Sequence, residues 1–170
     1  MTASLPFRVL ITEAAAALLG QLRAQHGQVM FHQSGGCCDG SSPMCYPVGE
    51  FAVGDRDVLL GIFSVDGGET PVWISNTQFH AWSHTQLVID VVPGRGAGFS
   101  LEAPHGVRFL SRGRIFTDAE QRLLSEWDPL HGADYMRGER PPHGYSPVIS
   151  GFDSDACSLA SGRAPHLKSE

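Results

Sequence analysis

The sequence lacks any run or stripe of basic residues and carries little charge of either sign. Its 170 residues include 12 lysines and arginines against 18 acidic residues, which gives a formal net charge of −6. Proteins that bind the phosphates of nucleic acid or an anionic membrane surface do so with clustered lysine and arginine. The composition therefore argues against nucleic acid and anionic membranes as partners.

Long apolar stretches are also missing. No segment approaches the roughly 18 consecutive apolar residues that a membrane-spanning helix needs. The first twenty residues, MTASLPFRVLITEAAAALLG, have no basic segment ahead of their apolar residues, and Arg8 and Glu13 interrupt the apolar pattern. We therefore predict no membrane span, no secretory signal and a cytoplasmic protein, where thiols stay reduced and structural disulfides are rare.

Apolar periodicity divides the first part of the chain into helix and strand candidates. Thr12 offers an N-cap to a helix with a stripe of leucines, and Gly27 suits the end of that helix. Thr117 and Glu120 form the capping-box pair of a closing helix. Between these helices the pattern predicts about six strands and one short helix. The order predicts a single α+β domain over residues 1–127, built mainly on antiparallel or mixed sheet.

Turn chemistry and apolar runs identify the individual strands of this domain. The segment DVLLGIFSVDG predicts a strand that ends in an Asp-Gly turn, and PVWISN predicts its hairpin partner. The segment TQLVIDVVPG predicts a buried strand. The three glycines of RGAGFSLEAP predict a loop followed by a short strand, and VRFLSRGRIF is the last strand candidate.

The residues after Trp127 have a different composition. Residues 128–170 are rich in Pro, Gly and Ser and contain few large apolar side chains. Ordering a residue costs roughly 1–2 kcal/mol of backbone entropy, which so few apolar side chains offset poorly. We predict a C-terminal extension that is partly docked on the domain or flexible, with residues 145–152 as the docking segment.

Three of the four cysteines lie close together in a loop of glycine, serine and proline. Cys37, Cys38 and Cys45 supply up to three thiolates, which zinc, iron and iron–sulfur clusters prefer as ligands. Gly35 and Gly36 let the backbone approach a bound group, and their N–H groups can stabilise a thiolate. The loop lacks the C-x2-C spacing of a zinc knuckle, so the metal stays open. The alternative is that these cysteines are small buried hydrophobic residues.

Three histidines are candidates for a fourth ligand or for a base. His32 ends a strand candidate just before the loop, and His80 and His84 are four residues apart in a helical pattern, TQFHAWSH. In a thiol enzyme Cys37 would be the nucleophile, the Gly35-Gly36 backbone would steady the negative charge, and His32 or His84 would be the base. Each histidine has the alternative of being an ordinary polar residue of its element.

The motifs FHQSGGCCDGSSPMCY, TQLVIDVVPGRGAGFSLE and GVRFL resemble a bacterial family catalogued as domain of unknown function 779. The resemblance covers roughly residues 8–127. Members of that family are typically encoded beside aldehyde dehydrogenases. The resemblance therefore implies an accessory role with an aldehyde dehydrogenase as partner.

A more distant resemblance is to the A-type iron–sulfur carriers, the HesB-like fold. The segments ITEAAA, GGCCDG and VIDVVPGRGAGFSLEAP follow the order of the carrier motifs, and Cys37 matches the first carrier ligand. The two later cysteines of the carriers have no counterpart, because Ser111, Arg112 and Gly113 occupy that place. The resemblance implies a HesB-like domain in which Cys38 and Cys45 would replace the missing thiols.

The residues and the resemblances together predict a non-catalytic accessory protein with a thiol-lined metal site. Its ligands would be Cys37, Cys38 and Cys45, with His32 or His84 as the fourth. Two alternatives stay open, a small cysteine-dependent enzyme and an interaction module without a metal. A homo-oligomer also stays open.

Overall fold

The structure, a computed structural model, describes residues 4–33, 42–96 and 98–152. These residues form one α+β domain with two mixed sheets and a few short helices. The strands and helices, in chain order, are β1 (Val9–Thr12), α1 (Glu13–His26), β2 (Val29–Gln33), β3 (Pro43–Pro47), β4 (Val58–Val65), β5 (Gly68–Ile74), α2 (Asn76–Trp82), β6 (Thr85–Pro93), β7 (Val107–Ile115), α3 (Asp118–Ser125), α4 (Gly132–Met136) and β8 (Val148–Ile149).

The helix boundaries follow the predicted capping residues. The Thr12 side chain accepts a hydrogen bond from the Ala15 N–H, and Gly27, with φ of 78°, ends α1. Thr117 and Glu120 form the predicted capping box at the start of α3. Within the described ranges no helix is both long and apolar enough to cross a membrane.

Each sheet has four strands. The first sheet has the order β7-β6-β1-β8, and the second has the order β3-β2-β5-β4. In the first sheet β1 runs parallel to β6 and β8, whereas β7 is antiparallel to β6. In the second sheet β2 runs parallel to β5, and the pairs β2–β3 and β4–β5 are antiparallel. The mixed sheets confirm the predicted α+β class, and the HesB-like assignment stays a prediction.

One large core lies between the inner faces of the two sheets and α1. Its buried members from α1 are Ala15, Leu18, Leu19 and Leu22. A smaller cluster lies on the outer face of the second sheet and contains Met30, Leu59, Ile62 and Trp73. The second sheet is therefore buried on both faces, which explains why β4, VLLGIFSV, is a nearly continuous apolar run.

Two local predictions were wrong. Residues 43–47, assigned to the cysteine loop, form the edge strand β3, antiparallel to β2. Pro43 and Pro47 are tolerated there because an edge strand need not donate every N–H to a neighbour. The short strand expected in RGAGFSLEAP is absent from the part of this segment that the structure describes, and Ala103–His105 form a single 3-10 turn instead.

Residues 128–152 contact the second sheet and extend the first. The Ser146 N–H donates to the Ile62 carbonyl at 2.8 Å, and the Leu59 N–H donates to the Leu130 carbonyl at 2.8 Å. Strand β8 pairs with β1, so β1 becomes an interior strand. The described part of the predicted extension therefore packs on the domain. The boundary at residue 127 stays a prediction.

Candidate functional site

The cysteine loop begins directly after β2. Gly35, Gly36, Cys37 and Cys38 lie outside the described residues, so their roles stay predictions. The other predicted site residues, Cys45, His32 and His84, are described, and so are the residues that surround the two ends of the loop.

Cys45 lies on β3 inside the main core. Its side chain is fully buried, and it pairs across the strands with Phe31. Burial, together with the nearby carboxylate of Glu102, raises the pKa of the Cys45 thiol. Because a metal ligand or a nucleophile must be a thiolate, this environment disfavours both roles for Cys45.

His32 lies on the opposite face of the second sheet. Successive residues of a strand point to opposite faces, and residues paired across antiparallel strands share a face. Cys45 pairs with Phe31, whereas His32 pairs with Met44. The structure therefore does not bring the Cys45 thiol and the His32 imidazole together.

The His32 imidazole has a carboxylate partner. Its Nε2 lies 3.2 Å from Oδ2 of Asp57, and its ring centroid lies 4.7 Å from that of Phe51. The same Asp57 oxygen accepts the Gly54 N–H at 3.0 Å, which holds the carboxylate in place. This pair resembles the base and orienting acid of a nucleophilic enzyme, and the sequence analysis did not identify Asp57.

His84 and His80 line different cavities. Helix α2 ends at Trp82, so the expected helical turn through His84 is not formed. The exposed His84 lines a cavity of about 280 Å³ together with Trp82 and Ser111. His80 lies by a separate cavity near Asp128.

Two chain segments start at the same edge of the second sheet. Gln33 is the last residue of β2 and pairs with Ile74, the last residue of the parallel strand β5. Parallel strands end at the same sheet edge. The cysteine loop, which follows Gln33, and α2, which follows Ile74 and leads to His84, therefore begin side by side.

Gln33 anchors the start of the loop to the first sheet. The Ser111 hydroxyl donates to Gln33 Oε1 at 2.6 Å. Gln33 is 1% exposed, and its Nε2 has no acceptor among the described residues. A buried amide donor without a hydrogen-bond partner is uncommon in folded proteins. The available sequence signal was a polar residue, Gln33, at the end of the strand VMFHQ.

A buried carboxylate lies near the far end of the loop. Glu102 is 2% exposed, and its oxygens accept hydrogen bonds from the Ser100 hydroxyl and from the Phe109 N–H, the latter at 3.2 Å. The Ser100 hydroxyl also accepts the Cys45 N–H at 2.9 Å. Burial raises the pKa of Glu102. This polar group ties β3 to the turn before β7.

The described residues contain no complete metal site. Across residues 4–33, 42–96 and 98–152 no group of three or more His, Cys, Asp or Glu side chains is placed to hold a metal ion. A metal site that includes His84 would need ligands from outside these ranges.

Comparison with known proteins identifies one family. The family model described as Domain of unknown function (DUF779) matches residues 18–115, more than half of the chain. No curated protein matches the sequence. The matched range includes β2, the cysteine loop, α2 and β7, which are the segments that surround Gln33 and Ser111.

Proposed function

The chain belongs to the DUF779 family, and from this premise we propose that it is an accessory protein that holds a metal in a thiol-lined site. The ligands in this proposal are the thiolates of Cys37 and Cys38 and the imidazole of His84. Zinc, iron and iron–sulfur clusters accept such sulfur and nitrogen donors. The N–H groups of Gly35 and Gly36 would stabilise the negative charge of the thiolates.

One observation carries this proposal, the contact between Gln33 and Ser111. Ser111 lines the cavity that His84 also lines, and its hydroxyl bonds the residue from which the cysteine loop starts. This contact supports a site in which loop thiols and the His84 imidazole share one ion. Gln33 Nε2, which has no acceptor among the described residues, is an available donor to a loop carbonyl or a thiolate.

The resemblance to the A-type iron–sulfur carriers supports a site near Ser111. In the A-type carriers the loop cysteine works with two cysteines at the place where this chain has Ser111 and Gly113. The Gln33–Ser111 bond supports a HesB-like arrangement in which the loop and β7 meet at one site. In this proposal the second loop cysteine and His84 take over from the missing thiols.

Cys45 and His32 are not metal ligands in this proposal. Cys45 is a buried core residue with a raised thiol pKa, and His32 faces away from it and bonds Asp57. Neither shares the cavity that Ser111 and His84 line.

The partner in this proposal is an aldehyde dehydrogenase in the cytoplasm, as the family resemblance implies. His84 is exposed. Its position supports an accessory role, because a metal that passes between two proteins must be reachable from the surface. The protein itself would not be catalytic.

The His32–Asp57 pair favours a second candidate function, a small thiol enzyme. In it Cys37 would be the nucleophile, His32 the base and Asp57 the residue that orients the imidazole. The two candidates use different histidines, His84 for the metal and His32 for the nucleophile. They can therefore be separated by mutation.

Elemental analysis of the full chain tests the metal site. The protein is purified without chelator from cells supplied with zinc and iron, and we expect about one metal centre per chain. The variants Cys37→Ser, Cys38→Ser and His84→Ala should lose most of this metal. Absence of metal from the wild-type chain, or full retention in all three variants, would contradict the proposal.

Matched controls distinguish the two candidates. His80→Ala removes an exposed imidazole four residues before His84 and should leave the metal content unchanged. His32→Asn and Asp57→Asn should also retain metal. If instead the wild-type chain holds no metal, and these two variants slow the reaction of Cys37 with iodoacetamide near pH 7, the thiol-enzyme candidate replaces the metal site.

A further inference from the structure

A third cavity lies between the start of β4, α3 and the segment after α4. Its volume is about 270 Å³. The buried side chains of Leu59, Leu60 and Leu124 form part of its wall, and Trp127 and several prolines complete the apolar surface. This volume lies just below the range of about 300–1,000 Å³ that is typical of drug-sized ligands, so it suits a small molecule.

This wall includes a cation, Arg8, that has no acidic partner among the described residues. The half-buried Arg8 donates from Nη1 to the Ser83 carbonyl at 3.2 Å, and its guanidinium carbon lies 4.9 Å from the Phe79 ring centroid. Among the described residues no carboxylate forms an ion pair with Arg8. Burial lowers the pKa of Arg8, which reflects a charge removed from water without full compensation.

His143 adds a second polar group beside Arg8. Its ring packs on Phe7 with a centroid distance of 4.6 Å, and its buried Nδ1 has no hydrogen-bond partner among the described residues. Burial, followed by the positive charge of Arg8, lowers the pKa of His143. The lowered pKa favours the neutral imidazole, so Arg8 is the cation of this pair.

The other charged groups around the cavity leave Arg8 available. Arg140 pairs with Glu69 at 3.2 Å, and Glu139 pairs with Arg137 at 3.2 Å. Asp128 also lines the cavity, but it is exposed to water, which screens its charge. Arg8 is thus the cation of the lining that has no ion pair among the described residues, and most of the remaining wall is apolar.

We propose that this cavity binds a small amphipathic carboxylate, with its carboxylate on Arg8 and its apolar part against Leu59, Leu60 and Leu124. Arginine is the side chain best suited to a carboxylate, because its planar guanidinium donates two parallel hydrogen bonds. The apolar wall contributes affinity by removing hydrocarbon surface from water. This site does not depend on the proposed metal site.

Titration of the full chain with octanoate tests this proposal. Isothermal titration calorimetry should show saturable binding of octanoate, and 1-octanol, which has the same chain length without the charge, should bind at least about tenfold more weakly. Equal binding of the two compounds, or no binding of octanoate, would overturn the proposal. This comparison uses the unchanged chain and is decisive even if a variant fails to fold.

Variants assign the binding to Arg8. Arg8→Gln should weaken octanoate binding by at least about tenfold and leave the weak binding of 1-octanol unchanged. Arg95→Gln, which removes an exposed arginine that does not line the cavity, is the matched control and should bind octanoate as the wild type does. Retention of full octanoate affinity in folded Arg8→Gln would refute the assignment.

Discussion

The hydroxyl of Ser111 donates a 2.6 Å hydrogen bond to the side-chain oxygen of Gln33, and this bond joins the two sheets at the start of the cysteine loop. The two residues are separated by 78 positions in the sequence. The bond is partly buried. Its contribution to the free energy of unfolding can be measured with variants of the two residues.

Ser111→Ala should destabilise the folded chain by about 1–3 kcal/mol, because it removes the hydrogen-bond partner that the buried Gln33 side chain has among the described residues. The double variant Ser111→Ala with Gln33→Met should be less destabilised than the sum of the single variants, since it removes both polar groups. Urea unfolding of the four chains gives the coupling free energy. A coupling energy near zero would show that the bond does not contribute to stability.

Glu102 should make stability depend on pH. Burial raises its pKa above the ordinary value of 4.5, so the folded chain retains a proton that the unfolded chain releases. The stability that protonated Glu102 contributes is fully present below pH 4.5. It is lost as the pH rises through the raised pKa of Glu102 in the folded chain. The free energy of unfolding of Glu102→Gln, measured relative to the wild type, should therefore increase from pH 4 to pH 8. Glu50→Gln, at an exposed turn, is the control and should show no such trend.

Cys45 should resist alkylation in the folded chain. Its side chain is fully buried, and the raised thiol pKa keeps it protonated. Mass spectrometry after treatment with iodoacetamide at pH 8 should find Cys45 unmodified in buffer and modified in concentrated urea. Cys45→Ala should also retain the metal content of the wild type. Rapid modification of Cys45 without denaturant would contradict its placement in the core.

Removal of residues 128–170 should lower the melting temperature by more than about 10 °C. The truncation turns β1 into an edge strand and removes the partners of the Ile62 carbonyl and the Leu59 N–H. A chain that ends at residue 152 keeps every contact described here and is the control. If the chain that ends at Trp127 melts within a few degrees of that control, the predicted domain boundary at residue 127 is supported instead.

Gly61→Ala should destabilise the chain by about 1–3 kcal/mol, because a methyl group there would clash with the hydroxyl of Ser146 and would lie 2.8 Å from Val9 Cγ1. Gly151→Ala is the control, since a Cβ at that position meets no atom of the described residues within 4 Å. Thermal melting compares the two variants. Equal melting temperatures would show that residues 146 and 61 are not packed as described.

Local chemistry made much of the secondary structure predictable. The caps of α1 and α3 depend on side chains that bond backbone groups within a few residues, so Thr12, Thr117 and Glu120 identified the helix starts. The β4–β5 hairpin was predictable for the same reason, since Asp66 and Gly67 take the positive φ values of 50° and 74° that its turn requires.

Long-range pairing was not predictable in this way. Strands β3 and β8 are short, and their sequences contain too few alternating residues to identify them without the partner strands β2 and β1. The residues after Trp127 were assigned little order for the same reason. The contacts of residues 128–152 are made with both sheets and cannot be inferred from the composition of the segment.

The residues of the candidate site show the same difference between what local sequence predicts and what long-range pairing decides. The sequence predicted the cysteine loop and His84 as candidate ligands, because thiols and imidazoles are recognisable by residue type. It did not show that Cys45 and His32 lie on opposite faces of one sheet, since that depends on the register of β2 and β3. It also did not identify Gln33, Asp57 or Arg8, because a common polar residue becomes distinctive only when folding removes its water and determines its partner.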